Sequence, residues 1–254
     1  MSVPFDDRGL LLGDGLFETI LAKDGALVLW APHLARLTAG CAALGLPAPD
    51  AAEALRLCEN AMAGLDGQRG AVRLTLTAGS GGRGLDRPTE IAPRLFATAV
   101  PMARPEGPAR LVTVSVRRNE GSPASRLKTL SYLDNVLARR EAGAAEALML
   151  NSRGEVACAA VANLFWIADG RLETPALDCG VLDGVIRGQV LAAAKALRAS
   201  VAEVRVGRER LEGAEGLFLT NSLIGVRAVD RLDGQALPDH PLAAELAGAV
   251  NWSW

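Results

Sequence analysis

Lysine is scarce in this chain, and its scarcity limits where a nucleophilic amine can lie. Lysine and arginine together number 27 in the 254-residue sequence, and only Lys23, Lys128 and Lys195 are lysines, which leaves 24 arginines. Arginine cannot replace a nucleophilic lysine because its guanidinium group stays protonated. Chemistry that needs an amine, such as covalent catalysis on a carbonyl compound, therefore has three candidate residues.

The three lysines differ in their sequence surroundings. Lys23 lies in a KDG turn, and Lys195 lies in AAAKAL, which is typical of a helix surface. Lys128 lies in SRLKTLSYLDNVLARREA, directly before a predicted helix over Tyr132–Ala142. If the intervening turn is helical, Tyr132 (the only tyrosine) shares a face with Lys128. On these grounds alone, a surface lysine near a helix start remains an alternative.

The elements that must position these residues follow from hydrophobic periodicity. AVRLTLT alternates strictly and predicts a half-buried strand over Ala71–Thr77, whereas apolar residues at helical spacing predict helices over Ala31–Leu46 and Ala51–Leu65. The other predicted elements are strands over Arg94–Val100, Leu111–Val116, Ala147–Leu150 and Leu217–Thr220, a hairpin over Asn163–Thr174 turning at Asp169-Gly170, and a helix over Gly184–Ala199 with Asp183 as its N-cap.

A change in composition near residue 104 predicts two domains. The segment PMARPEGP, over Pro101–Pro108, is rich in proline and typical of a linker. We therefore expect a small N-terminal α/β domain over residues 1–103 and a larger C-terminal domain over residues 104–254 that carries Lys128. The fold class that this pattern predicts is α+β.

Charge and composition exclude several classes of function. The formal net charge is −2 and the basic residues are spread along the chain, so we expect no nucleic-acid partner. No apolar run reaches the ~18 residues of a membrane span, and the opening MSVPFDDRG lacks the pattern of a secretory signal. Four cysteines without a paired motif favour reduced thiols in the cytoplasm. With two distant histidines, we expect no metal site.

Three segments resemble motifs of the class IV aminotransferase family, whose members are pyridoxal 5′-phosphate (PLP) enzymes of fold type IV. The segments are Asp7–Thr19, Lys128–Ala142 and a run of matches from Asn151 to Arg187. They occur in the family's order and extend over essentially the whole chain. The resemblance implies a two-domain fold like that of D-amino-acid aminotransferase, PLP as cofactor, and a homodimer. Only six residues precede Asp7, so we expect either that an edge strand of many relatives is missing or that the start of the gene is misassigned.

The family includes branched-chain aminotransferases, D-amino-acid aminotransferases and aminodeoxychorismate lyases. The segments Ser80–Gly84, Ala162–Trp166 and Leu219–Val229 resemble the lyases. The resemblance therefore implies a lyase that forms 4-aminobenzoate and pyruvate from 4-amino-4-deoxychorismate for folate biosynthesis. A branched-chain or D-amino-acid aminotransferase of the same family and a catalytically weakened PLP-binding homologue remain alternatives.

The resemblance also implies roles for the residues that would hold the cofactor. Lys128 matches the catalytic Schiff-base lysine, and Arg36 matches a phosphate-binding arginine. The backbone N–H groups of Val185 and Ile186 would face the phosphate, as suits a helix N-terminus. Many relatives have threonine at the position of Ile186, so a hydroxyl group is missing there. Ser222 matches a family hydroxyl that also contacts phosphate.

A further set of residues is implied for the substrate. Arg83 matches an arginine that in some relatives holds a substrate carboxylate across a dimer. Phe17 and Glu18 lie in the opening motif near the expected pocket, and Tyr132 would approach the reacting amine. For Glu18, a structural ion pair is the alternative, and for Arg83 a charge on a flexible glycine loop.

The sequence departs from the family at Cys158. Five residues before Asn163 the family usually has a glutamate, which pairs with the pyridine nitrogen and keeps it protonated. This chain has Cys158 there, and Glu155 lies three residues too early to replace it. A thiol would leave the ring nitrogen largely neutral, so we expect Cys158 to disfavour transamination and to tolerate elimination.

Overall fold

The computed structural model describes residues 3–250 and divides into two compact units. The first comprises Met1–Arg104 together with Leu127–Ser131, and the second comprises Pro105–Arg126 together with Tyr132–Trp254. The division after Arg104 falls within the proline-rich segment. Within residues 3–250, no helix combines the length and the apolar character that crossing a bilayer requires.

A four-stranded sheet with the order β2-β1-β3-β4 forms the centre of the first unit. Leu16, Ile20, Val72 and Leu74 are buried in its core, so the alternation in AVRLTLT does mark a strand. The elements are α1 (Arg8–Leu12), β1 (Gly15–Lys23), β2 (Ala26–Leu27), α2 (Trp30–Leu44), α3 (Ala51–Ala63), β3 (Gly70–Thr77) and β4 (Arg94–Pro101).

The segment that carries Lys128 belongs to the first unit, which corrects the expectation that the C-terminal domain carries this residue. The Phe17 amide donates to the Lys128 carbonyl at 2.9 Å, and the Leu130 amide donates to the Gly15 carbonyl at 3.0 Å. The opening motif needs glycine where its backbone passes close to the segment that carries Lys128. A Cβ on Gly13, whose φ is +66°, would lie 2.2 Å from the Ser131 hydroxyl oxygen.

The second unit contains a nine-stranded sheet with the order β10-β9-β8-β11-β12-β5-β6-β7, in which β13 pairs with β12. Asp169 and Gly170 both have positive φ, as a tight hairpin requires, which confirms the predicted hairpin between β8 and β9. The elements are β5 (Ala109–Arg118), α4 (Leu133–Ala142), β6 (Glu146–Asn151), β7 (Val156–Ala159), β8 (Asn163–Ala168), β9 (Arg171–Pro175), α5 (Val185–Ala196), β10 (Val201–Val204), β11 (Gly216–Asn221), β12 (Gly225–Leu232), β13 (Gln235–Ala236) and α6 (Pro241–Ala249).

Two details of the predicted helices are wrong. Helix α4 begins at Leu133, and Lys128 lies in a turn before it, so Lys128 and Tyr132 do not share a helical face. Helix α5 has Gly184 as its N-cap rather than Asp183. The Asp183 carboxylate instead accepts a hydrogen bond from Arg187, at 3.3 Å.

Candidate functional site

In the first unit, the Lys128 amine lies over an aromatic ring. Its Nζ is 4.3 Å from the centroid of the Phe17 ring, and the guanidinium carbon of Arg73 is 3.7 Å from the same centroid. Phe17 is buried and Lys128 is half-buried. Strand β1 positions the ring, and the backbone hydrogen bond from Phe17 to Lys128 holds the lysine segment beside it. The structure thus brings together two of the predicted site residues.

This environment makes Lys128 a better nucleophile and base than an ordinary lysine. Burial disfavours the ammonium form, and the positive charges of Arg36 and Arg73 act in the same direction. The carboxylate of Glu18 opposes them, and the pKa of Lys128 falls to about 8. At pH 7 roughly a tenth of the amine is then neutral, and covalent catalysis by lysine needs this neutral form.

A buried carboxylate connects β1 to helix α2. Glu18 accepts hydrogen bonds from Arg36 at 2.8 and 2.6 Å, and its Oε2 lies 2.6 Å from His33 Nδ1. Burial alone would raise the pKa of Glu18, but Arg36 and His33 lower it below its usual value. Glu18 is therefore an ion-pair partner, and the two-point contact fixes the direction of the Arg36 guanidinium.

The loop that carries Arg83 is held in place by a buried arginine. The Arg8 guanidinium donates to the carbonyls of Leu85 at 2.9 Å and Asp86 at 3.1 Å, and Asp14 pairs with Arg8 at 2.9 Å. The backbones of Arg83 and Asp86 bond to each other in both directions. Arg83 itself is exposed. These contacts hold the backbone of the loop, and the role of the Arg83 side chain stays a prediction.

In the second unit, the start of α5 presents backbone N–H groups without a side-chain cap. Gly184 occupies the N-cap, and Val185 and Ile186 begin the helix. A Cβ on Gly184 would lie 2.0 Å from the Asn163 side-chain oxygen, so only glycine fits between the helix start and strand β8. Ser222 lies half-buried in the turn that follows β11.

Cys158 lies in strand β7 and is buried. Burial raises the pKa of its thiol, and the nearby charge of Arg118 opposes this only in part, so the thiol is neutral near pH 7. Glu155 does not replace the family glutamate, because its carboxylate is engaged by Arg153 at 2.8 Å and Asn151 at 2.6 Å.

The buried Arg118 is a feature that the sequence analysis missed. Within residues 3–250, its guanidinium donates only to uncharged oxygens, those of Gly180, Asn135 and Ser125. Asn135 in turn donates to the Ala160 carbonyl just beyond β7, at 2.6 Å. Arg118 is thus a buried cation whose hydrogen-bond partners within residues 3–250 are neutral. A carboxylate placed beside it would compensate its charge. Because 24 arginines are spread along the chain, nothing in the sequence marks this one.

Comparison with known proteins identifies the family. The family model described as "Amino-transferase class IV" matches residues 15–232. The chain belongs to this class IV aminotransferase family. The predicted α+β fold of the family is thereby confirmed.

Relatives within the class IV family include both aminotransferases and lyases. A putative branched-chain-amino-acid aminotransferase of Methanocaldococcus jannaschii is 33% identical over 91% of this chain and 83% of its own. An aminodeoxychorismate lyase of Bacillus subtilis is 32% identical over 88% of this chain and 78% of its own. The crystal structure of 4-amino-4-deoxychorismate lyase from Pseudomonas aeruginosa is 34% identical, covers 98% of this chain and 94% of its own, and has a TM-score of 0.88.

Proposed function

We propose that this chain is a PLP-dependent lyase that converts 4-amino-4-deoxychorismate to 4-aminobenzoate and pyruvate, a step in folate precursor synthesis. The observation that carries the proposal is the full-length likeness to the Pseudomonas lyase, in sequence and in fold. The lyase-like segments Ser80–Gly84, Ala162–Trp166 and Leu219–Val229 support it. The family and its PLP-bound structures give the cofactor.

The residues present fit PLP in two respects. The half-buried Lys128 amine, with its lowered pKa, suits reaction with the cofactor's aldehyde. The uncapped N-terminus of α5 suits the phosphate, because its free N–H groups and the helix dipole favour an anion. We assign the phosphate to Val185, Ile186, Ser222 and Arg36. The group that would face the pyridine nitrogen, Cys158, is unlike the usual carboxylate.

When bound, PLP supplies an aldehyde that reacts with amines and a ring that withdraws electrons from the amine-bearing carbon. In our proposal the Lys128 amine, once neutral, takes the proton from that carbon. The neighbouring carbon–oxygen bond then breaks, the six-membered ring becomes aromatic, and the departing enolpyruvyl group takes up a proton to give pyruvate. Lys128 can return the proton that it removed. Arg83 and Tyr132 would orient the substrate, and Phe17 would line its pocket.

Cys158 bears on the choice between elimination and amino transfer. A neutral thiol does not stabilise a protonated ring nitrogen, so the ring withdraws electrons less strongly. Elimination tolerates this weakness because breaking the carbon–oxygen bond and forming the aromatic ring drive the step. Reversible amino transfer has no such driving force. Cys158 thus supports the lyase over an aminotransferase.

The decisive experiment is an assay of 4-aminobenzoate and pyruvate formed from aminodeoxychorismate without an added keto acid. The wild type is expected to release both products in equal amounts. Lys128→Ala is expected to lose activity and the visible absorbance of the bound cofactor, whereas Lys195→Ala should keep both. Absence of PLP binding by the wild type would refute the proposal.

The branched-chain or D-amino-acid aminotransferase is the second candidate, and the relative from Methanocaldococcus jannaschii favours it. It needs a keto acid as amino acceptor, which the lyase does not. Amino-acid-dependent conversion of 2-oxoglutarate, with no 4-aminobenzoate formed from aminodeoxychorismate, would establish it. Negligible turnover of either substrate by a PLP-loaded protein would instead favour a weakened PLP-binding homologue.

We also propose that the enzyme acts as a homodimer in the cytoplasm. Leu133, Val136 and Leu137 are exposed along one side of α4, as is typical of a protein–protein interface. All four cysteines are free, as expected in a reducing compartment. Light scattering after size exclusion is expected to give twice the 26.5 kDa mass of one chain, and a monomer at micromolar concentration would contradict the assembly.

A further inference from the structure

Thr220 carries a buried hydroxyl group without a hydrogen-bond partner. The residue lies in strand β11 and is 1% exposed, and its Oγ1 makes no hydrogen bond within residues 3–250. Within residues 3–250, the other buried threonine of the second unit, Thr174, does not share this property, because it donates to the Leu164 carbonyl at 2.8 Å. A buried, unpaired hydroxyl is costly to keep, so the position of Thr220 calls for an explanation.

The strand register shows where the Thr220 side chain points. Thr220 lies directly opposite Asn163 in the antiparallel pair of β11 and β8, and residues in such a pair project from the same face of the sheet. The Asn163 side chain faces Gly184, since a Cβ there would lie 2.0 Å from its oxygen. Thr220 therefore lies on the face of the sheet that the start of α5 covers.

The start of α5 has the properties of an anion site that lacks one hydroxyl donor. The first backbone bond within the helix runs from Gly188 to Gly184, at 3.0 Å, so the amides of residues 185 to 187 precede the helical ladder. Val185 and Ile186 have apolar side chains and cannot add an O–H donor. The cradle thus combines backbone N–H groups with the buried hydroxyl of Thr220, in addition to the half-buried Ser222 already assigned to the phosphate.

We propose that Thr220 donates its hydroxyl hydrogen to a phosphate ester bound at the start of α5, and so supplies the O–H donor that Ile186 lacks. The ligand class is a phosphate monoester with at least one anionic oxygen buried against the sheet. This inference rests on the proposed function, in which that ester is the phosphate of PLP. It adds to that function a binding residue on a strand rather than on the helix.

The test compares two ligands that differ only in the phosphate. Thr220→Val removes the hydroxyl and keeps the shape of the side chain. Its affinity for PLP is expected to fall about tenfold, because a hydrogen bond to a charged group is lost. Its affinity for pyridoxal, which has no phosphate, is expected to be unchanged. Thr220→Ser should retain the affinity for PLP, and Ile186→Thr in the Thr220→Val background should restore it.

Thermal unfolding of the cofactor-free protein provides a readout that does not depend on turnover. Thr220→Val is expected to match or exceed the wild type in Tm, because the buried hydroxyl has no partner to lose. The matched control, Thr174→Val, removes a paired hydroxyl and is expected to lower Tm without discriminating between PLP and pyridoxal.

The outcomes separate this inference from the proposed function. A wild type that binds PLP, with Thr220→Val binding it equally well, overturns the role of Thr220 alone. Equal losses of affinity for PLP and pyridoxal also overturn it, because the hydroxyl would then act elsewhere. A wild type that binds no PLP overturns both.

Discussion

Replacing Lys128 with methionine is expected to stabilise the cofactor-free protein at neutral pH while it abolishes catalysis. Methionine has a similar length and shape but no charge to bury. The folded state lowers the pKa of Lys128 from 10.5 to about 8, so holding the ammonium in its site costs folding free energy. Below pH 8 both the folded and the unfolded chain hold the proton, and the full cost is present. As pH rises from 8 to 10.5, the cost disappears.

The shift in pKa sets the size of this effect. A difference of 2.5 pKa units corresponds to about 3 kcal/mol at 1.36 kcal/mol per unit. For a chain of this size, such a change moves Tm by roughly 6–12 °C. The stabilisation of Lys128→Met should be largest near pH 7 and close to zero at pH 10.5.

Thermal unfolding of the apo wild type and Lys128→Met at several pH values measures this difference. Lys195→Met is the matched control, because Lys195 is exposed on α5, and it should leave the pH dependence of Tm unchanged. The electrostatic reasoning would be refuted if Lys128→Met were less stable than the wild type at pH 7. It would also be refuted if the Tm of the two proteins differed by the same amount at every pH.

Three further substitutions test the rest of the site. Glu18→Gln removes the charge that pairs with Arg36 and that raises the pKa of Lys128, so the fold should lose about 3 kcal/mol and the pKa of Lys128 should fall below 8, as measured by the pH dependence of amine modification. Cys158→Glu places a carboxylate beside the buried Arg118 and is expected to increase amino transfer relative to elimination, measured with a keto acid. Gly184→Ala forces a methyl group to within 2.0 Å of a side-chain oxygen and should weaken PLP binding at least tenfold, measured by fluorescence titration.

Each of these substitutions has a control that separates charge from shape. Glu18→Asp keeps the charge and should leave the pKa of Lys128 near 8. Cys158→Ser keeps a neutral group and should leave the ratio of the two reactions unchanged. Gly188→Ala, in the same helix, meets no heavy atom within 4 Å and should bind PLP normally. An unchanged pKa, an unchanged reaction ratio or unchanged binding in the three test variants would each contradict the corresponding role.

Local patterns predicted the elements whose side chains alternate or repeat over several turns. The strand over Ala71–Thr77 and the hairpin at Asp169-Gly170 follow from neighbouring residues alone, and both are present. The conformation of Lys128 could not be predicted in this way. It depends on backbone hydrogen bonds that join this segment to Gly15 and Phe17, more than a hundred residues earlier in the chain. Contacts over such a distance produce no periodic pattern in the sequence.

The candidate site shows the same limit. The family motifs predicted Lys128 and Phe17, which the structure brings together, and they left the role of Glu18 open. The pairing of Glu18 with His33 and the burial of Arg118 depend on tertiary packing, because Glu18 and His33 lie 15 residues apart and Arg118 and Gly180 lie 62 residues apart. The N-cap of α5 is Gly184, one residue after the predicted Asp183. Asp183 is a good capping residue by type, but its carboxylate pairs with Arg187 instead.

The attachment of Leu127–Ser131 to the first unit limits how this protein can be divided or recombined. The polypeptide leaves the first unit after Arg104, returns for this short stretch, and leaves again before Tyr132. A fragment that ends at Arg104 would keep every strand of the first sheet but would lose Lys128 and the acceptor of the Phe17 amide. A chimera joined to a relative at a single crossover near residue 104 would combine one parent's β1 with the other parent's lysine segment. Exchange of an intact first unit between relatives therefore requires two separate pieces of the gene to move together.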